Sequence, residues 1–342
     1  MIKRIAIIGA GAIGSALGGL LRRAGHDVVL VGRSAHVKAI RAAGLRVDGV
    51  RGSFTVQVEA AEALASRPDV AFLTVKSQDV LAALEANRAQ LADVPLVTFQ
   101  NGVRSDELAA GVVAKERLAS VVVNLSANFL TPGEVTILYA DALVLGRPFA
   151  ANDAEVQAIA VILRDAFPTR VSGNIAGAHW LKLIVNLNNA FPALTDRTYR
   201  DVYRDPYLGR LAVRAMREGL EVVARAGIAL ESLPDMPALL ARSMRLLPLA
   251  LAARLAAAKI RRIESRWPLL GSTLQSLRRG RPTEIDYLNG EVVRLGREVA
   301  FPTPVNATVV ALVHQVERTG RFLSVDAIRS AIEDAGRDAG GA

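Results

Sequence analysis

A glycine-rich turn near the start of the sequence has the spacing of a site that holds the pyrophosphate of a dinucleotide. The apolar run Ile5 to Ile8 is followed at once by Gly9-x-Gly11-x-x-Gly14, and then by an Ala- and Leu-rich stretch. Gly9 permits a tight turn, Gly11 lets a pyrophosphate approach the backbone, and Gly14 lets the helix pack on the strand. A glycine turn without a ligand is the alternative. The candidate dinucleotide-binding residues of the turn are Gly9, Ala10, Gly11, Ala12, Ile13 and Gly14.

The residue after the second predicted strand indicates which dinucleotide binds. This strand, Val28 to Val31, is followed by Gly32-Arg33-Ser34. An NAD site usually has Asp or Glu here, where a carboxylate binds the ribose hydroxyls and repels a 2′-phosphate. A guanidinium and a hydroxyl suit a phosphate, so the sequence favours NADPH. The alternative is that Arg33 is one more surface residue in an arginine-rich chain.

Polar loops follow two further predicted strands. Lys76 comes directly after the strand Asp69 to Val75, and Asn101 lies in the loop after Val94 to Phe99. Ligands of open parallel sheets bind outside the carboxyl ends of the strands, so Lys76 and Asn101 are candidates to face cofactor and substrate. Turn formation is the alternative for Asn101, because Asn-Gly is a common turn pair.

A polar stripe on an otherwise apolar predicted helix, residues 179–190, is the next candidate for chemistry. Leu, Ile and Val project around most of this helix, so we expect it to be buried. The stripe consists of His179, Lys182, Asn186 and Asn189. Because a buried lysine without partners is costly, the stripe either faces solvent or lines a polar cleft. The apolar surroundings favour the cleft, with Lys182 as a catalytic candidate.

Glu284 stands at the start of another predicted helix. Thr283 is its expected N-cap, and the expected buried stripe is Ile285, Leu288, Val292, Leu295 and Val299. A glutamate in a first helical turn complements the helix dipole, which is the structural alternative to a role in a site.

These residues need an α/β fold to position them. The first part of the chain predicts a Rossmann-type dinucleotide-binding domain, residues 1–168, whose sheet is extended by mostly antiparallel strands at 119–125, 134–139 and 142–146. Beyond Asn174 the pattern is almost wholly helical, so residues 169–342 are expected to form an all-α domain that carries the substrate and catalytic residues.

Composition excludes several classes of protein. The 342 residues contain no Cys, which rules out disulfides and thiolate metal sites, and the 4 His show no metal-ligand spacing. The net charge of +9 is scattered, and the basic stretch 254–266 lacks interleaved aromatic residues except Trp267, so nucleic-acid binding is not expected. We expect no membrane span and a cytoplasmic location, because glycines break the uncharged N-terminal run that resembles a signal peptide.

Several motifs in this order resemble the ketopantoate reductase (2-dehydropantoate 2-reductase) family over nearly the whole chain. Each motif is weak alone, but their order and spacing across two domains are specific. They are Gly9-x-Gly11-x-x-Gly14, Lys76, Gln100-Asn101-Gly102, Trp180-x-Lys182-x-x-x-Asn186, Ser272-x-Leu-Gln275 and Thr283-Glu284-Ile-Asp-Tyr-Leu-Asn-Gly290.

The resemblance implies reduction of 2-dehydropantoate to (R)-pantoate with NADPH, a step toward coenzyme A. It implies that Lys182 is the catalytic acid, and that Asn101 and Asn186 hold Lys182 and the substrate. It further implies that Ser272 binds the substrate carboxylate and Glu284 the substrate hydroxyl. A reductase of another 2-oxo acid and a non-catalytic NADPH-binding regulatory protein are the alternatives.

The sequence agrees with the family pattern at Arg33, which falls where the family has a 2′-phosphate ligand, but it departs from the pattern elsewhere. Ala190 replaces a second Asn that many relatives carry, and Asn188 and Asn189 come just before it. Asn189 stays a substrate-binding candidate through its place in the stripe. The segment Leu230 to Gly271 looks longer than is usual for the family, and a lid, a dimer surface and a pair of surface helices are all open interpretations. The oligomeric state is open as well, with a homodimer as one option.

Overall fold

The computed structural model of the chain describes residues 2–264 and 271–340. The chain divides into two compact units, Met1–His179 and Trp180–Ala342. Residues 265–270 of the Leu230 to Gly271 segment lie outside the described residues, and they include Arg266 of the basic stretch and the neighbouring Trp267.

The first unit contains two sheets. The strands of the main sheet, in the order of their pairing, are β12 (Thr169–Val171), β11 (Leu143–Gly146), β8 (Leu118–Val122), β7 (Leu96–Thr98), β6 (Val70–Leu73), β1 (Arg4–Ile8), β2 (Asp27–Val31) and β5 (Glu59–Ala61). The second sheet consists of β4 (Phe54–Val56), β3 (Leu45–Gly49), β10 (Glu134–Ala140) and β9 (Leu125–Asn128).

Helices connect the strands of the first unit. They are α1 (Ala12–Arg23), α2 (Ser34–Ala43), α3 (Val80–Ala86), α4 (Arg88–Leu91), α5 (Ser105–Ala110) and α6 (Ala154–Ala166), with 3-10 turns at Ser77–Asp79 and Lys115–Arg117. The next helix, α7 (Ile175–Asn186), contains the point at which the two units divide.

Strand β1 shows why the main sheet forms. It pairs in parallel with β2 and β6, and its residues from Ile5 to Ile8 are buried. Ile5 and Ile7 belong to one apolar cluster, together with residues of α1 and α6. Ala6 and Ile8 belong to another, together with residues of α3 and α5. Both faces of the sheet are therefore covered by helices, as parallel sheets require.

The later strands differ in part from the expectation. Strand β11 is antiparallel to β8, as expected, but β8 joins the main sheet parallel to β7. Strand β10 belongs to the second sheet, where it pairs in parallel with β3 and antiparallel with β9. Strand β12 pairs with β11, so the sheet continues beyond residue 168. The chain accordingly divides after His179, whereas the sequence places the boundary between residues 168 and 169.

The second unit is helical in its described part. Its helices after α7 are α8 (Ala190–Thr195), α9 (Tyr199–Arg204), α10 (Pro206–Arg225), α11 (Ala238–Ser243), α12 (Leu249–Glu264), α13 (Ser272–Arg278), α14 (Asn289–Glu298), α15 (Pro304–Thr319) and α16 (Val325–Gly340), with 3-10 turns at Leu187–Asn189 and Ile285–Tyr287. Helices α11 and α12 form most of the described part of the Leu230 to Gly271 segment. The predicted fold class, an α/β domain followed by an all-α domain, is confirmed.

Helix α10 organises the core of the second unit. Asp205 caps it by accepting the amides of Tyr207 and Leu208 at 2.9 and 3.1 Å, and Pro206 occupies its first turn. Its apolar face, which includes Leu208 and Leu211, packs in one buried cluster with residues of α8, α15 and α16. The same cluster contains Ile285 of the turn that follows Glu284, and Ala190, which comes directly after Asn189.

Candidate active site

The glycine turn of the first unit begins where β1 ends. Gly9 has a φ of +110°, and a Cβ atom there would lie 2.5 Å from the backbone nitrogen of Val75. The amides of Gly9 and Ala10 both donate to the carbonyl of Val31, at 2.9 and 2.8 Å. The turn is therefore fixed to the end of β2, and glycine alone fits its first position without strain.

Gly14 and Gly11 have opposite surroundings. A Cβ atom at Gly14 would collide with the Gly9 carbonyl and lie 2.5 Å from Thr74 Oγ1. The Thr74 hydroxyl donates to that same carbonyl at 2.8 Å, so this side of the turn is closed. At Gly11 the nearest atom to an added Cβ would be the Gly9 oxygen, at 4.0 Å, so this side is open.

The open side of the turn fits the pyrophosphate of a dinucleotide. Gly11 caps α1 and has no side chain to cover the first amides of the helix, those of Ala12, Ile13 and Gly14. Amides at the N-terminus of a helix bind phosphate oxygens and complement their charge. A Cβ atom at Gly11 would fill the space that such a group needs. The residues present therefore suit a bound dinucleotide.

The contrast between Gly11 and Gly14 provides a test of this site. We expect Gly11→Ala to keep the melting temperature of the wild type but to weaken NADPH binding at least about tenfold, because the new methyl group occupies the phosphate side of the turn. The matched control, Gly14→Ala, should instead lose about 1–3 kcal/mol of stability through the clash with Thr74 and Gly9. Differential scanning fluorimetry and calorimetric titration measure the two effects. Unchanged NADPH affinity in Gly11→Ala would contradict a phosphate site at this turn.

Arg33 lies at the end of β2, as the sequence predicts for a residue that reads the ribose. It is the N-cap of α2, with φ −72° and ψ 149°, and its side chain is exposed. The amides of the glycine turn donate to the carbonyl of Val31, the last residue of β2. Arg33 and the glycine turn therefore lie at the same end of β2. Its role as a 2′-phosphate ligand remains a prediction.

His36, one turn further along α2, is a residue that the sequence did not single out. Its ring is buried, and burial lowers its pKa to about 4, so it is neutral near pH 7. The amide of Gly133 donates to Nδ1 at 2.9 Å, so Nε2 carries the hydrogen and donates to the Ser15 hydroxyl at 3.0 Å. This contact ties α2, which Arg33 caps, to α1, which the glycine turn begins. The signal is long-range, and no local pattern could reveal it.

The loops that carry Lys76 and Asn101 lie side by side. The Ser77 hydroxyl donates to the backbone carbonyl of Asn101 at 3.1 Å. The Gln100 side chain donates through Nε2 to the carbonyls of Leu73 and Val75, at 2.8 and 3.0 Å. Because β6 and β7 are parallel neighbours, these loops emerge at the same edge of the sheet. The structure therefore brings Lys76 and Asn101 to one place in the first unit.

His179 does not share the environment of the stripe to which the sequence assigned it. It is buried, and its Nε2 lies 2.7 Å from the Ser120 hydroxyl of β8, within the first unit. Burial lowers the pKa of its imidazole, which outweighs the opposite influence of Asp106. We interpret His179 as a neutral residue of the core, and the stripe begins at Lys182.

Lys182 and Asn186 lie on the last turns of α7 and are half-buried. Leu181, Leu183 and Ile184 around them are fully buried, as the sequence predicts. Both polar residues make polar contacts in the structure. The helix thus holds a cation and an amide one turn apart on an otherwise apolar surface, an arrangement that can stabilise a negative oxygen and donate a proton to it.

Two Asn residues continue the polar segment in the 3-10 turn after α7. Asn188 is occupied at both ends of its amide, because it accepts the Tyr203 hydroxyl at 2.6 Å and donates to the Val185 carbonyl at 3.0 Å. Asn189 is half-buried and accepts the hydroxyl of Tyr199. We therefore assign Asn188 to the structure of the turn and retain Asn189 as a candidate for the substrate.

The Tyr199 hydroxyl also lies close to the backbone that directly precedes Ser272. A Cβ atom at Gly271 would lie 2.6 Å from this hydroxyl, so Gly271 allows the start of α13 to approach Tyr199 closely. Ser272 follows as the first residue of α13 and is exposed. Tyr199 thus brings Asn189 and the backbone next to Ser272 together within the second unit.

The surroundings of Glu284 differ from the expectation. The sequence predicts a helix that starts at Glu284, but a 3-10 turn follows this residue and α14 begins at Asn289. Leu288, with φ −116° and ψ −92°, interrupts the expected helix. Glu284 itself is half-buried and makes polar contacts. Because it does not belong to the first turn of an α-helix, the helix-dipole interpretation loses most of its physical basis.

Residues 2–264 and 271–340 contain no group of three or more His, Asp or Glu side chains that could hold a metal ion. Across these same ranges, no helix is both long and apolar enough to cross a bilayer.

Comparison with known proteins identifies the family of the chain. Residues 5–148 match the family model of ketopantoate reductase PanE/ApbA, and residues 174–317 match that of the ketopantoate reductase PanE/ApbA C terminal domain. The 2-dehydropantoate 2-reductase of Archaeoglobus fulgidus is 30% identical over 325 residues, which cover 92% of this chain and 98% of the relative.

Solved structures agree with this similarity. The PanE/ApbA family ketopantoate reductase from Ralstonia eutropha JMP134 is 31% identical with a TM-score of 0.78, and the match covers 92% of this chain and 98% of that one. A D-mandelate dehydrogenase bound to NADH and anilino(oxo)acetate has a TM-score of 0.79 at 22% identity over 92% of this chain and 99% of that one, which shows a shared fold. The chain belongs to the ketopantoate reductase family.

Proposed function

We propose that this protein reduces 2-dehydropantoate to (R)-pantoate with NADPH. The observation that carries the proposal is the similarity to 2-dehydropantoate 2-reductases over more than nine-tenths of the chain. The open glycine turn supports it independently, because its shape suits a dinucleotide. The product belongs to the biosynthesis of pantothenate and coenzyme A.

The first unit supplies the dinucleotide site. The amides at the start of α1 bind the pyrophosphate, and Arg33 binds the 2′-phosphate. Lys76 lies on the neighbouring loop and contributes a further cation. When bound, NADPH supplies a hydride to the C2 carbonyl carbon of the substrate.

The second unit supplies the proton. As the carbonyl carbon gains the hydride, its oxygen becomes negative, and the Lys182 ammonium stabilises this charge and then donates a proton to the oxygen. Asn186, one turn further along α7, orients the Lys182 side chain. Asn101 orients the substrate carbonyl, because its amide can donate to the carbonyl oxygen.

The remaining polar residues select the substrate. Ser272 and Asn189 bind the carboxylate as hydrogen-bond donors, since the Tyr199 hydroxyl occupies the carbonyl oxygen of Asn189 and leaves its N–H groups as donors. Glu284 accepts the hydroxyl of 2-dehydropantoate. A carboxylate in this position favours a 2-oxo acid with a hydroxyl over one without it.

A reductase of another 2-oxo acid is the second candidate. The fold shared with a D-mandelate dehydrogenase favours it, as does Ala190, which changes the expected set of amide side chains. A non-catalytic NADPH-binding protein is the third and least supported candidate.

Initial rates of NADPH oxidation with 2-dehydropantoate, 2-oxoisovalerate and phenylglyoxylate separate the three. We expect kcat/KM to be highest for 2-dehydropantoate. A higher value for another acid would favour the second candidate, and NADPH binding without turnover would favour the third.

Cofactor choice rests on Arg33. A charge-assisted hydrogen bond contributes about 1.5–3 kcal/mol, so we expect Arg33→Ala to weaken NADPH use roughly tenfold to a hundredfold and NADH use little. The measurement is kcat/KM for both cofactors at saturating 2-oxo acid. Arg41→Ala, also on α2 and exposed, is the matched control. Equal losses with both cofactors would show that Arg33 does not read the phosphate.

A further inference from the structure

The 3-10 turn that follows Glu284 is held on α15 by a cluster of charged side chains. His314 and Glu317, one turn apart on α15, both face this turn. Glu317 Oε1 accepts the backbone amide of Thr283 at 2.7 Å. His314 Nε2 lies 3.0 Å from Asp286 Oδ1. The residues on both sides of Glu284 are therefore attached to the same helix, and we call this cluster the α15 clamp.

The imidazole joins the two halves of the α15 clamp. Its Nδ1 lies 2.7 Å from Glu317 Oε2, and its Nε2 faces Asp286. A carboxylate only accepts hydrogen bonds when ionised, so both ring nitrogens must carry a hydrogen for both contacts to be favourable. A neutral ring has one N–H and one lone pair, and the lone pair would then face a carboxylate. The geometry therefore requires the imidazolium form.

Electrostatics support the same protonation state. Burial alone would lower the pKa of His314, but the hydrogen bonds to Glu317 and Asp286 outweigh burial and raise the pKa above its usual value. The described charged groups that shift this pKa are Asp286 on the 3-10 turn and Glu317 on the same helix as His314. Burial acts to raise the pKa of Glu317, but its hydrogen bonds to Thr283 and His314 lower the pKa below the usual range, so it stays ionised.

We propose that His314 and Glu317 are positioning residues that hold Glu284 in place to select the hydroxyl of the substrate, and that the contact of the α15 clamp with Asp286 is closed only while His314 is protonated. The inference rests on the proposed function, because it assigns to Glu284 the recognition of that hydroxyl. Neither His314 nor Glu317 touches the reacting atoms. Both act through the backbone of residues 283–286.

The pH dependence follows from the sign of the shift. The pKa of His314 is higher in the folded protein than in the unfolded chain, so the clamp contributes its full stability below about pH 6.5 and loses it as the pH rises through the folded value. The preference for a hydroxylated acid should decline over the same range. The informative quantity is the ratio of kcat/KM for 2-dehydropantoate to that for 2-oxoisovalerate, because a change in the chemical step that both substrates share cancels in this ratio.

The first experiment is a double-mutant cycle with His314→Gln and Glu284→Gln. We expect His314→Gln to lower the substrate ratio about threefold to tenfold at pH 6, and to have no further effect on the ratio when Glu284 is already Gln. Arg318→Gln, on an exposed position of α15, is the control and should leave the ratio unchanged. An unchanged ratio in His314→Gln, or an additive effect in the double variant, would overturn the inference even if the melting temperature fell.

The second experiment does not depend on activity. NMR titration of the wild type should give a His314 pKa above the usual value, and Asp286→Asn should lower it. The backbone amide of Glu284 should follow the same titration. If the wild type lacked reductase activity, the proposed function would fail, while a joint titration of His314 and the Glu284 amide would still support the clamp. If the His314 pKa were not raised, or if the Glu284 amide did not respond to the titration of His314, the proposed role of the α15 clamp would be wrong even in an active enzyme.

Discussion

Replacement of Lys182 with alanine is expected to lower kcat by about 10²–10⁴ while NADPH still binds with nearly the affinity of the wild type. The reason is that the ammonium interacts most strongly with the oxygen when that atom becomes negative, which occurs in the transition state. The glycine turn and Arg33 belong to the other unit of the chain and are unchanged by the substitution. A loss in kcat without a loss in dinucleotide affinity is therefore the expected signature of a general acid.

Steady-state kcat at saturating substrate and calorimetric titration with NADPH measure the two quantities. Lys259→Ala is a matched control, because Lys259 is also a half-buried lysine of the second unit and its ammonium donates to the Asp235 carbonyl at 2.9 Å. It should reduce stability without a comparable loss of rate. If Lys182→Ala kept its turnover and lost only stability, the stripe on α7 would be structural, and the non-catalytic alternative would gain support.

Glu284→Gln should abolish most of the preference for a hydroxylated substrate. The substitution keeps the shape of the side chain and removes its charge, so a hydrogen bond worth about 1.5–3 kcal/mol is weakened for 2-dehydropantoate. 2-Oxoisovalerate lacks the hydroxyl and should be affected much less. We expect kcat/KM to fall roughly tenfold to a hundredfold for the first substrate, with little change in melting temperature.

The comparison of both substrates decides between the possible roles of Glu284. Equal losses of kcat/KM with both substrates would indicate that Glu284 positions Lys182. If kcat/KM fell with neither substrate, the role of Glu284 would be structural. Glu298→Gln, at an exposed position of α14, controls for the removal of a negative charge from the same region. It should change neither value of kcat/KM.

Local sequence patterns predicted the parts of the fold that depend on neighbours in the chain. The glycine turn could be predicted because its steric requirements arise within one strand, turn and helix. A Cβ atom at Gly9 or Gly14 would lie too close to neighbouring atoms. The burial of α7 could be predicted from its apolar circumference, and Leu181 and Leu183 are fully buried. Lys182 and Asn101 became candidates through their positions in the sequence pattern and Ser272 through the resemblance. The specific roles of all three follow from the resemblance and remain predictions.

Features that depend on distant partners could not be predicted in this way. The apolar spacing after Glu284 fits a helix, yet the amide of Thr283 bonds to Glu317, and α14 begins only at Asn289. His179 fits the polar stripe by its spacing, but its partner is Ser120, which lies 59 residues earlier in the chain. The sequence pattern does not reveal strand β12 beyond residue 168, because this short strand is defined by its pairing with β11 rather than by its own three residues.

The proposed reaction is tested most directly by NADPH consumption in the presence of purified protein and 2-dehydropantoate. The product is separated by chromatography on a chiral column and identified by mass spectrometry. We expect one molecule of (R)-pantoate for each NADPH oxidised, and a kcat/KM well above that for 2-oxoisovalerate or for NADH as the donor. NADPH that binds but is not consumed with 2-dehydropantoate would contradict the proposed function, and so would a higher kcat/KM with a 2-oxo acid that lacks the hydroxyl.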